Sequence, residues 1–260
     1  MRTMSRRRPH VEQESYFVSM TDLMIGLLFI FIILLMYFAV NYRHAEREQI
    51  EAEKKQEETV EQLTDNRRSI EFLLSAIKES LDRQGVQVAI DLESGILRLP
   101  ESILFERGSA ELNELGRGAL GKLVIAMTPL LTCFANAFTV DPRGSIALPE
   151  RCPPERTGRL ETILIEGHTD RVPISGRYRD NWDLSVARAT NTFRTLKDLD
   201  AELLEIRNDR GEPLIGVSGY AESRELTKAD DLGAMAANRR IDIRFIMAAP
   251  EEPSRQERVP

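Results

Sequence analysis

The feature that most constrains this chain is an uninterrupted apolar run near its N-terminus, residues 17–40. The run has 24 residues and one ionisable side chain, Asp22. As a helix it would measure about 36 Å, at about 1.5 Å per residue, and the hydrocarbon core of a bilayer is about 30 Å thick. It is too long for the apolar part of a cleaved signal peptide, and no clean cleavage site follows it. We therefore predict an uncleaved membrane-spanning helix over residues 17–40, and not a buried core helix.

Asp22 is the residue of this run that points to a function. An ionised carboxylate that faces lipid costs at least roughly 3 kcal/mol, so such a residue normally faces a partner helix or a water path. Helical spacing places four residues on the same side as Asp22: Ser19, Gly26, Phe29 and Ile33. Gly26 would let a neighbouring helix approach closely. The functional interpretation is a proton-carrying site; the alternative is a carboxylate near the headgroups without a role.

The composition of the whole chain excludes several classes of protein. Of 260 residues, 30% are charged and 42% hydrophobic, which fits neither a polytopic membrane protein nor a disordered chain. The 35 basic and 42 acidic residues give a net charge of −7, whereas proteins that bind nucleic acid usually carry a basic excess. The few histidines and cysteines show no metal-ligand spacing, and no nucleotide-binding or metalloprotease motif occurs. We therefore expect no enzyme activity, no cofactor, no metal and no nucleic-acid partner.

The segment after the apolar run, residues 41–84, is highly charged and contains neither proline nor glycine. This composition predicts a helical linker that ends near Gly85. Steps of three and four residues relate the apolar positions Ile70, Leu74, Ile77 and Leu81, as in a heptad seam. Two interpretations stay open: a solvated helical spacer, or a parallel two-stranded coil that joins two copies of the chain. Residues 41–59 lack a seam, so pairing is expected only in the second part.

From residue 86 onward the pattern is that of a domain in which strands alternate with helices. The predicted strands are 86–92, 95–100, 162–166, 214–220 and 241–246, and the predicted helices are 113–131 and 182–199. We expect Trp182 and Leu184 to pack the second helix onto the sheet. The alternation predicts an α/β (α+β) fold, with the helices on one sheet.

The chain therefore divides into five parts, with one membrane span and one folded domain. They are an N-terminal tail at 1–16, the transmembrane helix at 17–40, the helical linker at 41–84, the α/β domain at 85–247 and a disordered tail at 248–260.

Four motifs of the folded domain resemble, in the same order, those of the OmpA-like peptidoglycan-binding domain. They are LRLPESILFERGSAEL (97–112), IEGHTDRVPISGRYRDNWDLSVARA (165–189), GYAESREL (219–226) and NRRIDIRF (238–245). Pro173, Ile174 and the run 181–185 look like the MotB branch of that family, whose members also carry one N-terminal span with one aspartate. The resemblance covers most of residues 86–247 and implies an OmpA-like α/β sandwich.

The resemblance also implies a binding site for the peptidoglycan stem peptide, whose diaminopimelate offers an ammonium and a carboxylate. Asp170 would take the ammonium, and Arg188 would take the carboxylate because a guanidinium can bind it with two hydrogen bonds. Thr169 and Asn181 match further ligand-contacting positions. The alternative is a salt bridge between Asp170 and Arg188 that only holds the loop. His168 lacks an accompanying nucleophile, so we interpret it as a packing residue.

One insertion departs from the simple members of the family: about thirty residues, 132–161, which contain Cys133 and Cys152. A disulfide between them would close this loop and contribute roughly 3 kcal/mol in the chain-entropy model; the alternative is two free buried thiols. Disulfides persist in the periplasm and not in the cytosol. Together with peptidoglycan binding, this predicts a bacterial inner-membrane protein with a cytoplasmic N-terminus and a periplasmic C-terminal domain.

The resemblance implies the B subunit of a proton-driven stator motor. Its partners would be a second copy of itself, as a homodimer, and a MotA-like polytopic membrane subunit that forms a pentameric ring. The residues around Asp22, SMTDLMIG (19–26), depart from the Tyr-Ala-Asp pattern of flagellar MotB. They look more like the B subunit of Zorya anti-phage systems, which favours phage defence. The alternatives are a flagellar motor stator, a passive envelope tether without ion flux, and a TolR/ExbD-like energiser, which is disfavoured because those lack the wall-binding motif.

Overall fold

The computed structural model describes residues 13–135, 152 and 158–250, with side chains from residue 20 onward. The boundary between the two compact units of the chain lies between Glu58 and Thr59. Most of the two predicted tails, 1–16 and 248–260, and residues 136–151 of the insertion lie outside the described residues. The side chain of Ser19, expected beside Asp22, lies outside them too.

A single α-helix, α1 (Gln13–Arg83), opens the described part of the chain. Its apolar part is long enough to cross a membrane, and none of the side chains there is buried in the structure. Asp22 lies on this exposed surface. A second helix, α3 (Glu114–Phe134), also passes a test of length and hydropathy, but half of it is buried. Its buried apolar residues, among them Leu120, Leu123 and Met127, belong to the core of the folded domain.

The last turns of α1 belong to the C-terminal unit. Leu74, Ile77 and Leu81 are fully buried in the core of that unit, together with Leu73. For these residues both open interpretations, a solvated spacer and a seam with a second copy, are therefore wrong. A stripe spaced by three and four residues serves an intermolecular coil and an intramolecular contact equally well. The compact unit thus begins at Thr59, and not at the predicted boundary near residue 85.

The C-terminal unit contains one five-stranded mixed sheet. Its strands are β1 (Ala89–Asp91), β2 (Ile96–Pro100), β3 (Leu160–His168), β4 (Ile215–Ala221) and β5 (Arg240–Met247). The order across the sheet is β1-β2-β5-β3-β4, with β3 and β4 parallel and the other pairs antiparallel. The predicted fold class, a long apolar N-terminal helix followed by an α/β domain, is confirmed.

Two long helices pack on the sheet, and each begins with a side-chain cap. Asn113 accepts a hydrogen bond from the Gly116 amide at the start of α3, and Asp180 accepts one from the Asp183 amide at the start of α4 (Asn181–Leu199). Such caps satisfy amides that have no partner within the helix. The described residues also form three short helices that the sequence pattern did not indicate: α2 (Glu101–Leu104), α5 (Leu232–Asn238) and a 3-10 turn at Glu202–Glu205.

The contact between α4 and the sheet depends on a glycine. A Cβ atom at Gly167 of β3 would overlap the backbone carbonyl of Ser185, so only glycine lets α4 lie this close. Leu184, which we expect to pack α4 onto the sheet, is buried. Trp182, however, is 49% exposed. The expectation that Trp182 packs α4 onto the sheet is wrong, because it lies on the solvent side of the first turn of α4.

Candidate ligand-binding pocket

Strand register brings three chain segments to one edge of the sheet. Arg240 at the start of β5 pairs with Pro100 at the end of β2 and with His168 at the end of β3. Their neighbours Glu101, Thr169 and Arg239 therefore lie side by side. The first turns of α4 complete a pocket of about 160 Å³, which contains all four predicted ligand-binding residues. It is lined by Glu101, Arg107, Gly108, Thr169, Asp170, Val172, Pro173, Ile174, Asn181, Leu184, Arg188 and Arg239.

Asp170 is held by two hydrogen bonds in the loop after β3. Its Oδ2 accepts from Nη1 of Arg239 at 2.7 Å, and its Oδ1 accepts from the Val172 amide at 3.1 Å. The direct salt bridge between Asp170 and Arg188, which was the alternative interpretation of the sequence, is not formed. Asp170 forms its salt bridge with Arg239 instead. A carboxylate has about four acceptor positions, so Asp170 keeps capacity for a further donor.

Arg188 is almost completely buried, with 1% of its surface exposed. Its Nε donates to the Ser109 carbonyl at 2.9 Å, its Nη2 donates to Glu101, and its guanidinium lies over the Phe105 ring at 5.4 Å. Burial lowers the pKa of Arg188 from its ordinary value, and the charge of Glu101 opposes this shift. The Nη1 atom is buried and has no hydrogen-bond partner.

Thr169 and Asn181 differ in what they can offer a ligand. The Thr169 hydroxyl is buried without a hydrogen-bond partner. The Asn181 side-chain amide instead donates to the carbonyls of Asp170 and Val172, at 3.2 Å each. Asn181 therefore fixes the loop that carries Asp170, whereas Thr169 retains an unused hydroxyl.

Glu101 and Arg239 complete the site, and the sequence analysis did not assign either to it. One carboxylate oxygen of Glu101 accepts from Arg188 and the other accepts from Arg239. Burial alone would lower the pKa of Arg239, but its hydrogen bonds to Asp170 and Glu101 outweigh burial and raise it. The signal that could have found Glu101 is its position: it follows β2 directly, at the same edge as the loop after β3.

The chemistry of this pocket favours an anionic group. The buried guanidinium of Arg188 and the buried hydroxyl of Thr169 have lost their hydrogen bonds to water, and the protein does not fully replace them. A ligand carboxylate would supply the missing acceptors, and hydrogen bonds between charged groups are among the strongest in proteins. With Arg107, the lining holds three arginines and two carboxylates, so its formal charge is positive by one.

A second cluster of polar side chains lies on the sheet face away from the core. The Nε2 atom of His168 is 3.6 Å from Oδ2 of Asp242 and 3.9 Å from Oε2 of Glu166. The three residues could offer metal ligands, a proximity that sequence spacing did not indicate. Both carboxylates are already bound by arginines: Arg244 donates to Glu166, and Arg98 and Arg240 donate to Asp242.

The electrostatics of this second cluster oppose a bound cation. The pKa of His168 is lowered to about 3, first by burial and then by the charges of Arg240, Arg224, Arg98 and Arg244. His168, interpreted from the sequence as a packing residue, is buried and stacks on the Tyr220 ring at 5.6 Å. We regard the cluster as a buried charged layer that supports the sheet.

The remaining predicted residues lie away from the pocket. Cys133 near the end of α3 and Cys152 form a disulfide with Cα atoms 5.5 Å apart, so the structure brings this predicted pair together. Asp22 lies on α1 in the N-terminal unit, among exposed apolar side chains.

Comparison with known proteins gave structural similarity only. No protein-family model and no curated protein matches the sequence. A putative MotB-like protein from Desulfovibrio vulgaris is similar with 20% identity and a TM-score of 0.46, over 77% of this chain and 98% of that one. The cell wall anchor of the T6SS from Pseudomonas aeruginosa is similar with 20% identity and a TM-score of 0.44, over 69% and 97%. The periplasmic domain of Helicobacter pylori MotB is similar with 20% identity and a TM-score of 0.40, over 60% and 76%. These similarities concern the fold and not a function.

Proposed function

We propose that the C-terminal unit binds peptidoglycan through the diaminopimelate of its stem peptide. The observation that carries this proposal is the buried Nη1 of Arg188, which has no partner and belongs to the same pocket as the unpartnered Thr169 hydroxyl. A ligand carboxylate would bind these two groups, and the ligand ammonium would bind Asp170 beside its existing partner Arg239. The resemblance to the OmpA-like domain assigns the same roles to Asp170 and Arg188.

Co-sedimentation of the full-length protein in detergent with purified sacculi tests this proposal. Arg188→Gln should weaken binding by about tenfold or more, because it removes a charged hydrogen bond worth roughly 1.5–3 kcal/mol. Arg194→Gln is the matched control, since Arg194 is an exposed arginine of the same helix outside the pocket. Equal binding of the Arg188 variant and the control would contradict the proposal.

We further propose that α1 anchors this domain in the bacterial inner membrane, with the N-terminus in the cytoplasm and the domain in the periplasm. Exposed apolar side chains along residues 20–40 support the membrane span. The Cys133–Cys152 disulfide supports an oxidising compartment for the domain. The arginines at positions 6–8 are adjacent to one another, whereas the basic residues after the span are spread over residues 43–55, and this concentration favours a cytoplasmic N-terminus.

The function that follows is the B subunit of a proton-driven motor, held still by the cell wall. Two copies would lie within a ring of MotA-like subunits, and Asp22 would take up and release the proton. One elementary charge that crosses about 100 mV supplies about 2.3 kcal/mol, enough to bias a step of rotation. Asp22→Asn should leave membrane insertion intact and abolish the activity of the motor, because an amide side chain cannot take up and release a proton. Normal function of that variant would leave a passive tether as the better description.

The process that this motor serves is proposed from residues 19–26, which look more like a Zorya B subunit than like flagellar MotB. Deletion of the gene should then raise plaque counts for some phages and leave swimming unchanged. The highly charged residues 41–59 support this choice, since they offer no apolar face that could lie on the membrane as a flagellar plug. Loss of swimming with unaltered phage sensitivity would assign the chain to a flagellar stator instead.

A further inference from the structure

Arg107 is a lining residue of the pocket that the proposed function does not use. It is exposed, and among the described residues it makes no ion pair or hydrogen bond. The other two arginines of the pocket already form ion pairs: Arg188 binds Glu101, and Arg239 binds both Glu101 and Asp170. The uncompensated positive charge of the pocket therefore resides on Arg107.

The backbone that carries Arg107 is a fixed turn. The Ser109 amide donates to the Glu106 carbonyl at 3.0 Å, and Gly108 has φ +73°, a conformation that favours glycine. The same turn orients the buried arginine, because the Ser109 carbonyl accepts from Nε of Arg188 at 2.9 Å. Arg107 and Arg188 are therefore held by one structural unit.

Ala110, the residue after this turn, is held by hydrogen bonds at both its amide and its carbonyl. The Ala110 amide donates to the Tyr178 hydroxyl at 3.1 Å, and the Ala110 carbonyl accepts from the Asn191 side chain at 2.7 Å. A turn fixed in this way presents its arginine to a ligand with little ordering cost for the backbone.

We infer that Arg107 binds a second carboxylate of the ligand, so that the pocket selects molecules with two carboxylates over molecules with one. The first carboxylate binds Arg188 and Thr169 in the buried part of the pocket, and the second binds Arg107 at its exposed part. This inference rests on the proposed peptidoglycan binding and adds to it a determinant of ligand class.

Competition for sacculi by two small probes tests the inference. Meso-diaminopimelate carries two carboxylates. Lysine is the same molecule with one carboxylate replaced by hydrogen. Both lysine enantiomers are used, and the better competitor is the reference. The full-length protein in detergent is bound to sacculi, and the probe concentration that releases half of it is measured. For the wild type, diaminopimelate should release the protein at a concentration about fivefold lower than lysine, as expected for one exposed ion pair.

Arg107→Gln should bring this concentration ratio close to one, and Arg194→Gln should keep the wild-type ratio. An Arg107→Gln protein that retains the wild-type ratio would overturn the inference, and so would a wild type that both probes release equally well. In both of these cases the protein still binds sacculi when no competitor is present, so the proposed function is not refuted. Failure of the wild type to sediment with sacculi would instead refute the proposed function, and the inference with it.

Discussion

At the scale of single residues, Glu101 holds the pocket together, because its one carboxylate binds two arginines. Removing one partner of a buried ion pair leaves the other charge without compensation and costs about 3–5 kcal/mol. Glu101→Gln keeps one carbonyl oxygen, so it should lower the free energy of unfolding of the C-terminal unit by about 3 kcal/mol. Denaturant unfolding followed by circular dichroism measures this. Glu111→Gln is the control, since its pair with Arg177 is exposed and its loss should cost less than about 1 kcal/mol. Equal effects of the two changes would contradict the role of Glu101.

His168 gives a second prediction at this scale, a pH dependence. Its pKa in the folded protein is about 3, below the ordinary value of about 6.5. Between these values the unfolded chain binds the extra proton, so stability falls as the pH falls. From pH 7 to pH 5 the contribution is a loss of about 2 kcal/mol. His168→Gln should make the unfolding free energy less dependent on pH over this interval. A variant with the same pH dependence as the wild type would contradict this prediction, because it would show that the pKa of His168 is nearly the same in the folded and unfolded chain.

The residues of the pocket show how far sequence reasoning reaches. The motif around residues 165–189 was sufficient to predict Thr169, Asp170, Asn181 and Arg188, and the structure gathers them in one pocket. It was not sufficient to predict their partners. Glu101 lies 87 residues from Arg188 and 138 from Arg239, and these pairings depend on the register of β2 and β3 against β5. Sequence patterns of period two identify strands but do not set which residues of distant strands lie opposite each other.

At the scale of elements, the last turns of α1 contribute to the core of the C-terminal unit. Leu74 is fully buried and Leu63 is exposed on the same helix. Leu74→Ala should lower the free energy of unfolding by about 3 kcal/mol, whereas Leu63→Ala should change it by less than about 0.5 kcal/mol. Unfolding in denaturant at two protein concentrations makes the measurement. An effect of Leu74→Ala that appears only through weaker dimerisation would restore the intermolecular seam.

The elements were predicted more successfully than their packing. Five strands and two long helices were expected, and the described residues contain them with boundaries shifted by a few residues. Neither interpretation of the stripe in the linker, a solvated spacer or a coil with a second copy, identifies its burial in the C-terminal unit, because an apolar stripe indicates that a helix face is buried and not what buries it. The short helix α2 has four residues, too few for a periodic pattern, although it carries Glu101.

At the scale of the whole molecule, the disulfide bears on topology. Cys133 and Cys152 should be oxidised in protein isolated from the cell envelope, because the proposed topology places them in the periplasm. Mass spectrometry of unreduced peptides, with thiols blocked at lysis, measures this. Detection of both cysteines as blocked free thiols would contradict the pairing. If reduction of the disulfide leaves the free energy of unfolding unchanged, the loop closure contributes little to stability.

The central claim is that this pocket fastens the full chain to the cell wall, and tracking of single molecules in living cells tests it most directly. A fluorescently tagged wild type in the inner membrane should show a population that does not diffuse, because its domain is bound to peptidoglycan. The double variant Asp170→Ala, Arg188→Ala should insert in the membrane at the same level and lose that population. The variant Arg194→Gln should behave as the wild type. A double variant that remains as immobile as the wild type would show that the chain is held by another surface.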